Sequence, residues 1–275
     1  MKKYILLMIG LISLMFANNI YANDYTQINF KEPKNIPLLA VQMIHFAGVS
    51  TGIPTDSCTG SLVLAWHMED LNLANESGCS ALGDSLWAAG NASLVSTDKS
   101  DGTYAGYATT GVDRQELDPT SFPSTEGTVW FDVRFGTNWT ADQILLGLSY
   151  SGGNNWMYVY KAGSAGNIDI TVGGYWQSNW HSITANTDID YSDNKWWRIK
   201  LQWKDAASNA DLQIDVWELD DSTPRETTGS PITAGPSQQL EGFGFDIDFI
   251  RIGNVDSNTD TTWWDRLYIY NTSDL

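Results

Sequence analysis

From Ser61 onward, apolar and polar residues alternate with a period of two. In Gly127–Phe135, Val129, Phe131, Val133 and Phe135 fall on one face, with Trp130, Asp132 and Arg134 on the other. In Lys195–Trp203, Trp197, Ile199, Leu201 and Trp203 oppose Trp196, Arg198, Lys200 and Gln202. Trp156, Tyr158 and Tyr160 oppose Met157 and Val159 in the same way. Side chains two apart share a face of an extended strand, so each pattern predicts a half-buried β-strand. Further strands are expected over Ser61–Asp70, Ile144–Tyr150, Ile168–Val172, Leu212–Glu218 and Phe243–Ile252. Asp98–Gly102, Ser151–Asn155 and Lys161–Asn167 carry the Gly, Asn and Ser content of turns. The stretch Phe249–Leu275 reads as strand, polar turn, strand. Ile250 and Ile252 alternate before Asn254–Thr262, and Leu267 and Ile269 resume behind Asp265. No segment sustains a helical period. The expectation is an all-β chain folded as an antiparallel two-sheet sandwich.

The N-terminal region breaks this pattern. Lys2 and Lys3 precede an apolar run from Tyr4 to Ala17, and Ile20-Tyr21-Ala22 offers a cleavage site before Asn23. Residues 1–22 are read as a secretory signal peptide, too short and wrongly flanked for a spanning helix. Residues 23–60, interrupted by Pro33, Pro37 and Pro54, are read as an N-terminal extension, and 61–275 as the sandwich domain. The chain is therefore expected to be secreted, extracellular or periplasmic, without membrane insertion.

Charge narrows the partners. The formal net charge is −18, and loss of Lys2 and Lys3 with the signal peptide takes it to −20. Nucleic acid and anionic membrane surfaces are excluded as general partners, because neutralising phosphate takes clusters of Lys and Arg. Acidic loops do suit calcium, a hard cation that takes oxygen ligands. Cys58 and Cys79 are the only cysteines. In an oxidising compartment they are expected to form one disulfide.

The order of the motifs carries a resemblance. SLVLAWHMED at 61–70 resembles the opening strand of laminin-G-like jelly rolls of the concanavalin-A-like lectin and glucanase group. Ser96–Tyr107 resembles their second strand, STEGTVWFDVRF at 124–135 their "GTV" strand, and KWWRIKLQW at 195–203 their Trp-rich strand. Gln213–Leu219 and the closing Phe249–Leu275 complete the series, covering about Ser61 to Leu275. The chain departs from the pattern in lacking a "DG" after Gln213–Leu219, and 23–60 has no counterpart. The resemblance implies a concanavalin A-like jelly roll and a structural calcium drawing on Glu69, Asp70 or Asp265.

Thirteen tryptophans are the main chemical signal. Aromatic rings stack on the apolar faces of sugar rings, although they also fill cores. Trp156 and Tyr158 lie on the aromatic face of their strand, and Tyr175, Trp176 and Trp180 fall in what reads as a Gly-rich loop. These five are the candidate ligand surface. A second calcium reading comes from Asn254, Asp256, Asn258 and Asp260, with Asp265 eleven residues after Asn254. The spacing imitates a calcium loop, but Thr259 stands where Gly is expected, and an Asx-rich turn explains most of it. Jelly-roll glucanases carry E-x-D-x-E on one strand. Here Gly244 and Ile250 replace both glutamates and leave Asp246 and Asp248, short of the carboxyl pair that glycoside hydrolysis uses. His45, His67 and His181 are scattered. The expected function is non-catalytic glycan binding. The alternatives are a jelly-roll hydrolase or polysaccharide lyase, and a structural or adhesive cell-surface protein with a protein partner.

Overall fold

The strands pair into two antiparallel sheets because apolar residues on alternate positions can be buried only between two such faces. The computed structural model describes residues 58, 60–70, 78–82, 85–89, 92–109, 113–136, 143–149, 156–164, 167–176, 179–190, 194–206, 209–220, 227–235, 247–255 and 261–275. The expected signal peptide, nearly all of the 23–60 extension, His45, Asp246 and the turn residues 256–260 lie outside these.

Along the chain the strands are β1 (Leu62–Trp66), β2 (Cys79–Ser80), β3 (Ser85–Ala89), β4 (Ser93–Val95), β5 (Ala105–Ala108), β6 (Asp113–Asp118), β7 (Glu126–Phe135) and β8 (Gln143–Ser149). They continue with β9 (Trp156–Ser164), β10 (Asn167–Trp176), β11 (Asn179–Ile189), β12 (Trp196–Ala206), β13 (Asn209–Glu218), β14 (Ile232–Ala234), β15 (Phe249–Asn254) and β16 (Thr262–Tyr270). Among the described residues there is no helix, and every strand pairing is antiparallel. One sheet has nine strands, with the path β14-β13-β12-β7-β16-β1-β2 and β5 and β4 beside β16. The other has seven, in the order β11-β10-β9-β8-β15-β6-β3. This is the antiparallel two-sheet sandwich that the alternation predicts.

One core lies between the sheets. Val129, Phe131, Val133 and Phe135 of β7 meet Trp197, Ile199, Leu201 and Trp203 of β12 on the nine-stranded side. Leu146, Leu148, Met157, Val159, Ile170, Val172, Ile250 and Ile252 face them from the seven-stranded side. The inward assignments for β7 and β12 therefore hold residue by residue, and Met157 and Val159 of β9 lie in the core as expected. Trp203 is fully buried, stacks on Phe122 at 5.5 Å and donates its indole N–H to the Pro123 carbonyl at 2.8 Å. Trp264 reaches across the core to donate to Gln115 Oε1 of the opposite sheet. Gly106 faces Trp264 so closely that any Cβ would overlap the indole.

The cysteine pairing is as expected. Cys58 and Cys79 form a disulfide, with Cα atoms 5.5 Å apart and a sequence separation of 21. Cys79 pairs with Ala65 of β1 and packs on a small cluster of Leu62, Ala65 and Tyr268, on the face away from the main core.

The loop reading of Tyr175, Trp176 and Trp180 is corrected. Tyr175 and Trp176 end β10, and Trp180 lies near the start of β11. Gly173 and Gly174 read as loop residues in the sequence, yet they sit inside the strand, opposite Tyr158 and Met157. A backbone ladder on both sides holds them extended, and an aromatic partner offsets the weak strand preference of glycine. Likewise Lys161–Ser164 continues β9 rather than forming the turn.

Candidate functional site

The outer face of the seven-stranded sheet gathers the aromatic candidates. Backbone register places Phe249, Ser149, Trp156, Tyr175 and Trp180 in one row across β15, β8, β9, β10 and β11. The next row runs Glu116, Arg251, Gly147, Tyr158, Gly173 and Ser182. Both rows have the parity opposite to the buried Met157, Leu148 and Ile250. Strand pairing thus joins four of the five sequence candidates, Trp156, Tyr158, Tyr175 and Trp180, on one face. Trp176 pairs with Asn179 and shares the parity of Val172 and Gly174, at the end of β10.

Polar groups adjoin this row. Arg251 donates from Nε to Glu116 Oε2 at 2.7 Å and lies 4.8 Å from the Phe249 ring centroid. Its Nη1 is 3.5 Å from the Ser149 hydroxyl. Arg114 donates to the same Glu116 oxygen at 3.0 Å, so one buried carboxylate anchors two guanidiniums. The Tyr158 ring lies over Gly147, where a Cβ would come within 3.3 Å of it. Planar rings beside fixed donors and acceptors are what a sugar requires: stacking on its C–H face and hydrogen bonds to its hydroxyls. Phe249, Arg251, Ser149 and Glu116 were not among the sequence candidates. Their signal was the alternation around Ile250 and Ile252, whose outward partners were left unread.

The metal candidates do not converge. Asp265 is fully buried in β16, where Oδ2 accepts from Ser100 N at 2.8 Å and Asp101 N at 3.0 Å. Glu69 Oε1 accepts from Thr103 N at 2.6 Å, against Gly102 at φ +54°. Asp70 accepts the Trp66 indole N–H through its backbone carbonyl at 3.2 Å. Asn254 Oδ1 accepts from Gln143 Nε2 at 2.8 Å. Both described ends of the imitated calcium loop are therefore committed to protein donors. Among the described residues, no three His, Cys, Asp or Glu side chains converge on a point that could hold a metal ion.

Asp265 belongs instead to a buried ionic knot on the nine-stranded sheet, which the sequence reading missed. It pairs in register with Asp132 of β7, which pairs with Arg198 of β12. Arg198 donates to Asp132 from Nε at 2.8 Å and Nη2 at 3.1 Å. Arg266 Nε donates to Asp132 Oδ2 at 3.0 Å, and the Ser100 hydroxyl donates to it at 2.7 Å. Burial acts to raise the Asp132 pKa, but the Arg198 and Arg266 charges and the hydrogen bonds outweigh it and hold the group below the usual carboxylate range. Burial, and then repulsion from Asp132, push Asp265 well above that range. Arg266 takes φ +48° at a β-bulge, a conformation sustained by its buried partners. Arg134, which bonds Asp98 and Asn194 and lies 4.7 Å from the Trp263 ring centroid, extends the knot to the 96–103 loop. Both carboxylates of the pair are covered, so the knot clamps this loop rather than meeting solvent.

Beyond the knot the same outer face carries a second aromatic group. The Trp130 and Trp217 rings lie near-parallel, 6.0 Å apart at 14°, and both are half-buried. The Lys200 Nζ stands 5.4 Å from the Trp130 ring centroid and pairs with Asp274 at 2.8 Å.

No protein-family model matches this chain. No curated protein matches it either. Solved structures do. An HCR/D mutant superposes with a TM-score of 0.53 at 13% identity, over 78% of this chain and 48% of that one. The binding domain of botulinum neurotoxin DC in complex with SialylT gives 0.50 at 11%, over 78% and 48%. Domain 4 of an extracellular arabinanase from Geobacillus stearothermophilus, in complex with arabinotriose, gives 0.50 at 13%, over 77% and 93%. The chain thus spans about half the length of the first of these and nearly all of the arabinanase domain. At these identities the likeness is one of fold, and the fold is an all-β sandwich.

Proposed function

We propose that this protein is a non-catalytic glycan-binding module of the laminin-G-like, concanavalin A-like kind. Its ligand surface is the outer face of the seven-stranded sheet, with Trp156, Tyr158, Tyr175 and Trp180 as the stacking residues. The observation that carries this reading is the register: three aromatic positions on three adjacent strands fall in one row, opposite in parity to the core. A hydrophobic core has no use for such a row on the outer face, and a sugar does. Arg251, held in place by the buried Glu116, supplies hydrogen-bond donors beside it. The arabinotriose and SialylT complexes of structures with this fold support the class of ligand. Export by the N-terminal segment and a disulfide in the mature chain agree with an extracellular ligand.

The experiment is a glycan array probed with the mature chain, once with calcium and once with chelator. Binding to a defined glycan class is expected. Binding that persists in chelator removes the structural calcium from the account and leaves the aromatic face intact. No glycan bound in either condition would contradict the proposal.

A further inference from the structure

We propose that the outer face of the nine-stranded sheet is a second binding site, specific for an acidic sugar: the ring lies against Trp130 and Trp217, and its carboxylate takes Lys200 in place of Asp274. The argument rests on side chains of that sheet and is independent of the aromatic row on the other sheet.

Register builds the face. One row runs Asp215, Lys200, Trp130 and Tyr268 across β13, β12, β7 and β16, and the adjoining row runs Trp217, Arg198, Asp132 and Asp265. Trp130 and Trp217 therefore flank β12 from either side, one row apart, and their near-parallel rings approach across it as one aromatic group. Neither indole N–H, nor the hydroxyl of half-buried Tyr270 in the next row, makes a hydrogen bond among the described residues. Buried indoles elsewhere in the chain find acceptors, as Trp203, Trp196 and Trp66 do. Two cations border the rings. The Arg198 guanidinium is 6.0 Å from the Trp130 centroid, with Nε and Nη2 on Asp132. The Lys200 ammonium is 5.4 Å away.

What Lys200 holds shows which ligand fits. Its partner is the carboxylate of Asp274, whose side chain is 84% exposed while that of Lys200 is 12% exposed. Asp274 lies in the segment after β16, which crosses this face. Thr128 Oγ1 donates to the Thr272 carbonyl at 2.7 Å, and Lys204 Nζ donates to the Leu275 carbonyl at 2.8 Å. A recessed ammonium beside stacked indoles thus already binds a carboxylate from solvent. The carboxylate end of this ion pair lies open to water, which competes for it, so the pair exchanges readily. A uronic acid supplies both parts: a pyranose face for the rings and a carboxylate for the ammonium. The net charge of −18 acts against polyanions only at long range. At physiological salt it is screened within about 8 Å, so the local Lys200 charge decides at contact.

The test is calorimetry on the mature chain with oligogalacturonate, and with a neutral galacto-oligosaccharide of equal length as control. Oligogalacturonate is expected to bind and the neutral oligomer to bind much more weakly. Lys200→Met should weaken the acidic ligand by about tenfold, as loss of a charge-assisted hydrogen bond implies. Asp274→Asn removes the competing carboxylate and should strengthen it by about threefold. Both substitutions leave the core untouched, and equal melting temperatures confirm that the fold is kept. Trp217→Phe keeps a ring and should retain binding that Trp217→Ala loses. Equal affinity for the acidic and neutral oligomers, no binding of oligogalacturonate, or Asp274→Asn that weakens it would each overturn the proposal.

Discussion

Asp132 and Asp265 are the same residue type in adjacent strands, yet their surroundings drive them to opposite protonation behaviour. Asp132 keeps its charge because two guanidiniums face it. Asp265 has Asp132 as its neighbour and is pushed toward the neutral form. Removing the Asp132 charge by Asp132→Asn strands Arg198 without a counter-ion and leaves Arg266 with Asp101, at 3.6 Å. That should cost about 3–5 kcal/mol in urea unfolding, as for other broken buried pairs. Asp265→Asn should behave differently. Folded Asp265 holds its proton more tightly than the unfolded chain does, so its contribution is complete below about pH 4 and is lost as pH rises through the raised folded value. The wild type should therefore lose melting temperature as pH rises from about 4 through the raised folded value, a loss that the Asp265→Asn variant escapes. A variant whose melting curve declines in parallel with the wild type would show that Asp265 ionises at its ordinary value.

At the scale of elements, the strands differ in how plainly their sequences announced them. From Val129 to Phe135 in β7 and from Trp197 to Trp203 in β12, large apolar residues fill every inward position, so alternation alone assigned both faces. Trp203 is the strongest consequence. It is fully buried and stacked on Phe122, and Trp203→Ala should destabilise the fold by about 3–5 kcal/mol in chemical denaturation. β6 and β11 were not legible. β6, DRQELD, buries Gln115, Glu116 and Leu117, with Gln115 Oε1 accepting from Trp264 and Glu116 paired with Arg114 and Arg251. In β11 the inward Ile183 and Ile189 are separated by Ala185 and Thr187, too small and too polar to continue an apolar face, so the alternation does not register. The ionic knot was hidden for a related reason. Its members, Ser100, Asp132, Arg198 and Arg266, come from four separate segments, and only the pairing of β16 with β7 and of β7 with β12 brings them together. The candidate ligand face was half legible. Parity of β9 exposed Trp156 and Tyr158, whereas Tyr175 and Trp180 joined them only once Gly173 and Gly174 proved to lie within a strand.

Across the whole molecule, two surfaces with different chemistry emerge from one core, and the disulfide holds the entry to the sandwich. The bridge closes a loop of moderate length, and reduction should lower stability by about 3 kcal/mol, mainly by freeing the unfolded chain. Comparison of thermal melts with and without reductant reads this directly. The same loss should appear in Cys58→Ala. The central claim is that the row through Trp156, Tyr175 and Trp180 binds glycan, and calorimetry on the Trp156→Ala and Trp180→Ala chains, against a glycan bound by the wild type, tests it most directly. Loss of one stacking contact of roughly 0.5–1.5 kcal/mol predicts affinity weakened by about threefold to tenfold in each variant, with the melting temperature nearly unchanged. A glycan bound with wild-type affinity by both variants would contradict the account.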